Sequence, residues 1–99
     1  MDKLVELMRL IKSRPELYLS CRSINYLKVY MDGYFFALPN EKSSGFMSEM
    51  DEFREWLANR FNISTNQSWA QIILFFSPNE FFALDEFFRL FEEFTLTKH

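Results

Sequence analysis

Pro15, Gly33, Pro39, Gly45 and Pro78 are the only glycines and prolines in a chain of 99 residues, so little in it interrupts a helix. Between these points the apolar residues recur every three or four positions, the spacing of one helical face. Asp2 to Ser13 sets Leu4, Leu7, Met8 and Ile11 on one stripe and is predicted to stop before Pro15. A tyrosine-bearing connector, Glu16 to Arg22, follows. Ser23 stands where an N-cap is expected, and Leu27, Met31, Tyr34 and Leu38 continue the helical spacing until Pro39. Gly33 lies inside that second helix. An interior glycine costs roughly 1 kcal/mol against alanine, so it predicts the close approach of another group.

The segment NEKSSG, Asn40 to Gly45, reads as a polar loop. A third helix from about Met47 to Phe61 puts Met50, Phe53, Leu57 and Phe61 on one side. Its acids gather toward the start and Arg60 sits at the end, which suits the helix dipole. Ser and Asn residues between Asn62 and Ser68 are suited to capping the next element. That element, WAQIILFF from Trp69, is apolar almost all round and is expected to be the most buried. Its β-branched and aromatic residues leave it as helix or strand. SPNE, Ser77 to Glu80, ends it and opens the last helix. The expected fold is all-α: one compact domain over residues 1–99, about five helices, and a core rich in the chain's 13 Phe, 4 Tyr and 2 Trp.

The last helix is the most informative stretch. Stepping about 100° per residue from Phe81, the residues Ala83, Leu84, Phe87, Phe88, Leu90, Phe91 and Phe94 fall in one broad arc, a core face. The opposite arc holds Asp85, Glu86, Arg89, Glu92 and Glu93, with Phe82 in their midst. Phe82 therefore calls either for cover by a terminus or the Asn40–Gly45 loop, or for a partner. An aromatic ringed by carboxylates is how an anchor for a basic protein surface would look.

Charge is unevenly spread. Residues 1–45 hold seven Lys/Arg against five Asp/Glu, and residues 46–99 hold four against nine. An acidic half disfavours nucleic acid, whose phosphates require Lys and Arg, and favours a basic partner or plain solubility. The basic and aromatic run RSINYLKVY, Arg22 to Tyr30, offers only two cations for RNA.

No enzyme constellation emerges. The single cysteine, Cys21, excludes an internal disulfide and reads as an inert, semi-buried thiol; the single histidine is the terminal His99. No metal cluster, phosphate-binding glycine loop or nucleophile with its base can be assembled, so no catalytic residue, cofactor or metal is expected. No apolar run has the length of a membrane span, and a cytoplasmic location is the simplest expectation.

The runs IKSRPELYL, SINYLKVYMDGYFFAL, FREWLANRFN, SWAQIILF and ALDEFFRLFEEF together span nearly the whole chain. In this pattern the chain resembles small bacterial immunity proteins of contact-dependent growth inhibition and other polymorphic toxin systems. Arg14, Pro15, Tyr18, Leu19, Gly33, Tyr34, Ser68 and Trp69 carry the match, while Leu17 and the Ser20–Cys21 pair depart from it. The resemblance implies a protein that binds and neutralises a cognate toxin domain, several such toxins being nucleases. On that view the chain is a non-enzymatic monomer, one per toxin domain, with an acidic face covering a basic nuclease. The residues expected to bind are Phe82, Asp85, Glu86, Glu92 and Glu93, then Glu49, Asp51, Glu52 and Glu55. The alternative is a helical module that self-associates through its surplus aromatics.

Overall fold

The computed structural model describes residues 2–97; His99 lies outside them. The chain is all-α: α1 (Asp2–Ser13), α2 (Pro15–Tyr18), α3 (Ile24–Ala37), α4 (Asn40–Phe61), α5 (Trp69–Phe75) and α6 (Glu80–Thr97). The five expected helices are present, and α2 adds a single turn within the expected connector. Pro15 ends α1 and at the same time opens α2, because proline fits the first helical turn, where its missing N–H has no partner to lose.

Local chemistry sets most of the remaining boundaries. Ser23 Oγ accepts the Asn25 N–H at 3.1 Å and caps α3, and Ser68 Oγ accepts the Gln71 N–H at 3.2 Å and caps α5. The Asn79 side-chain oxygen accepts both the Phe81 and Phe82 N–H groups, starting α6. Asn62 closes α4 in the left-handed conformation, φ 55°, with its N–H and that of Ile63 turned back to the last carbonyls. Trp69 to Phe75 is helix, which resolves the helix-or-strand alternative.

Three expectations are corrected. Asn40–Gly45 is no loop but the first turns of α4, which begins seven residues before Met47. The Pro39 carbonyl accepts the Lys42 and Ser43 N–H groups at 3.0 and 2.9 Å. Phe46 stacks on Phe35, rings 5.4 Å apart and 9° from parallel, and Ser43 is buried, so packing overrides the turn-like composition. Gly33 meets no close neighbour: a Cβ built on it has no atom within 4 Å. Finally, α5 is not buried throughout. Trp69, Ala70, Ile72 and Ile73 face inward, but Phe75 is 78% exposed and Phe76 is exposed beside it.

The core is aromatic and α6 is its axis, packed on α1, α3, α4 and α5. All seven residues of its predicted inner arc are buried. Phe53 of α4 is the hub, with ring centroids of Phe87, Phe91 and Phe94 within 5.7 Å and Trp56 and Trp69 next. Edge-to-face pairs of this kind add roughly 0.5–1.5 kcal/mol each beyond area burial. The radius of gyration, 12.9 Å, is that of a tightly packed chain of this length. The Asn62–Ser68 connection is tied down by Arg54, whose guanidinium donates to the Gln67 carbonyl at 2.6 Å and to that of Thr65.

Candidate functional site

Phe82 sits in the first turn of α6, positioned by the Asn79 cap, and is 48% exposed. Neither the expected loop nor another element covers it fully. Phe81 beside it is exposed as well, so α6 opens on two aromatic side chains followed by Asp85 and Glu86.

The carboxylates around them are not a bare acidic face. Asp85 lies 3.9 Å from Arg22, Glu92 lies 3.8 Å from Lys12, and Glu93 pairs with Arg60 at 2.6 Å. Glu86 accepts two bonds from the Arg89 guanidinium, at 2.8 and 2.9 Å, and Arg89 also reaches Glu93 at 3.7 Å. Those hydrogen bonds, followed by the Arg89 charge, hold the Glu86 carboxyl below its ordinary value even against partial burial. Every α6 acid named from the sequence thus has a basic neighbour, two of them from the basic first half of the chain.

The α4 acids are arranged differently. Glu55 pairs with Arg54 at 2.9 Å, while Asp51 is exposed and forms no ion pair among the described residues. Glu52 is exposed and Glu49 half-buried. Between Glu49 and Glu55 four carboxylates stand against Arg54, and between Glu80 and Glu93 of α6 five stand against Arg89. Arg60 with Glu93 links α4 to the α6 group by an ion pair.

Two exposed aromatic areas escaped the sequence reading. Phe76 stacks on Phe61 with ring centroids 4.4 Å apart, and Phe75 lies against Phe76 at 5.0 Å, beside Ile63. On α3, Tyr26, Val29 and Phe36 point outward, along with Gly33. The signal was in the sequence: stepping 100° per residue puts all four opposite the Leu27–Met31–Phe35 stripe. Tyr18, Tyr30 and Tyr34 form a row at the edge of that face, rings 6.0 and 6.2 Å apart. Burial, then Tyr34 and Tyr18, push the Tyr30 phenol above its ordinary value.

Among the described residues, no group of three or more His, Cys, Asp or Glu is placed to hold a metal ion. No described helix is long and apolar enough to cross a membrane. The groove between α1 and α6, floored by Val5, Met8 and Phe91 and rimmed by Arg9, Lys12 and Glu92, encloses about 220 Å³. That is below the roughly 300 Å³ at which small-molecule sites begin. Set against known protein families, characterised proteins and solved structures, the chain matches none of them.

Proposed function

We propose that this chain is an immunity-type protein that binds and neutralises a cognate toxin domain, a basic nuclease, in the cytoplasm and without catalysis of its own. The observation that carries the reading is the half-exposed Phe82 ring beside Asp85 and Glu86, an apolar anchor next to carboxylates. A nuclease must present Lys and Arg to phosphate, and fixed carboxylates on a rigid helix can occupy the same surface.

The ion pairs of α6 support this rather than oppose it. Arg22–Asp85 and Lys12–Glu92 are long, and their side chains are more than half exposed. Such pairs contribute roughly 0–1 kcal/mol, so a partner's Lys or Arg can replace the internal base at little cost. The acids Glu49, Asp51, Glu52 and Glu55 supply long-range attraction and fast association. Glu92 and Glu93 extend the contact along α6.

The test is co-expression with the C-terminal domain of the exported protein encoded beside this chain. Growth rescue and co-purification are expected, lost on combined Asp85→Lys and Glu86→Lys exchange. Toxicity with neither rescue nor binding would sink the pairing. Unchanged affinity of the double exchange at low salt would displace the contact from α6.

A further inference from the structure

The outer face of α3 has a pattern that its own chain does not use. Tyr26, Val29, Gly33 and Phe36 are separated by three, four and three residues, so the stripe reads with the same spacing in either direction. Phe36 is 89% exposed, Val29 73% and Tyr26 47%. Gly33 has no positive φ that would call for glycine, and apart from its own stretch of helix backbone nothing lies within 4 Å of where its Cβ would be. Neither backbone conformation nor internal packing accounts for a glycine at the middle of this helical stripe.

We infer that a second copy of this chain docks here, α3 against α3 in antiparallel register about a two-fold axis. In that register Val29 of each copy lies over Gly33 of the other, and Tyr26 lies beside Phe36. A large side chain then meets a missing one twice, which is the self-complementarity an isologous contact requires. Glycine at the crossing lets the two backbones approach closely.

Electrostatics selects the same occupant. The stripe contains no charged residue, so a basic partner gains nothing from it. Two copies of a chain with net charge -3 repel if they meet through the α4 or α6 carboxylates, and the α3 face avoids that. Lys28 and Asp32, 2.6 Å apart on the flank of this face, alternate in sign along the helix. Antiparallel docking brings Lys28 of one copy toward Asp32 of the other. Three side chains and a glycine cover less than the ~800 Å² per partner of a standard interface, so the association is weak and concentration-dependent.

Sedimentation equilibrium from low micromolar to millimolar concentration tests this. The mass average of the unaltered chain is expected to climb from one chain toward two. Gly33→Gln fills the vacancy with a good helix former and is expected to weaken association tenfold or more while the melting temperature is kept or raised. Val29→Glu, at an exposed position, is expected to do the same through like charge. A chain that stays single at millimolar concentration overturns the inference, as does a Gly33→Gln dimer as tight as the original. If the chain is single throughout and Gly33→Gln instead abolishes capture of the toxin domain, the face belongs to that partner and the dimer is wrong.

Discussion

Ser23 Oγ donates to the Glu80 carboxylate while accepting the Asn25 N–H, so one buried hydroxyl caps α3 and ties it to the first turn of α6. Arg22, the preceding residue, reaches Asp85 one turn further along α6. Ser23→Ala removes the cap and the carboxylate's donor together. The expected cost is about 1–3 kcal/mol, combining a lost N-cap with a lost charge-assisted bond. Chemical denaturation of the purified variant measures it; a loss near zero would mean the α3–α6 tie contributes nothing.

Phe53 is fully buried at the centre of the aromatic core. Truncation by Phe53→Ala is expected to destabilise by about 3–5 kcal/mol, through lost transfer energy and the cavity left among rings that cannot close in. Phe82→Ala, at a half-exposed site, is expected to cost under about 1 kcal/mol. Comparing the two unfolding curves separates the aromatics that hold the fold from the one assigned to the partner.

Gly33→Ala is expected to stabilise the chain by roughly 0.5–1 kcal/mol, since alanine narrows the unfolded ensemble and favours helix. The space around Gly33 is open, so the added methyl meets no clash. A rise of a few degrees in melting temperature at low protein concentration is the expected reading. A fall would show that the position is constrained within the single chain.

Glu86 gives stability a pH dependence of known sign. Its folded carboxyl is held below the ordinary value by Arg89, so the folded state binds that proton less readily than the unfolded chain. The contribution is therefore present at neutral pH and is lost as pH falls through the carboxylate range. Titration followed by side-chain carboxyl resonances should place Glu86 below the usual Glu value, and Arg89→Gln should return it. Titration at the ordinary value in the unaltered chain would contradict the bidentate pair.

Partner binding carries its own salt signature. If the α4 and α6 carboxylates steer a basic toxin domain, association slows steeply as salt rises, and combined neutralisation of Asp51, Glu52 and Glu55 flattens that dependence. Stopped-flow association across salt concentrations measures both. An association rate indifferent to salt would remove electrostatic steering from the reading.

What the sequence by itself determined are the features written in local chemistry. Ser23, Ser68 and Asn79 mark helix starts because each satisfies backbone groups within four residues of itself, and Pro15 marks the end of α1. The α6 core face was legible because helical geometry converts spacing into direction. Tertiary structure alone decided the rest. Asn40–Gly45 became helix because Phe46 stacks on Phe35 of α3 and Ser43 is buried, a gain that no propensity of Ser-Ser-Gly encodes. Phe75 stayed exposed because α5 is only seven residues long and its inner side was already filled. The charge imbalance between the two halves looks like an acidic surface in one dimension. In three, Lys12 and Arg22 fold back onto Glu92 and Asp85, because Coulomb attraction acts through space and takes no account of separation along the chain.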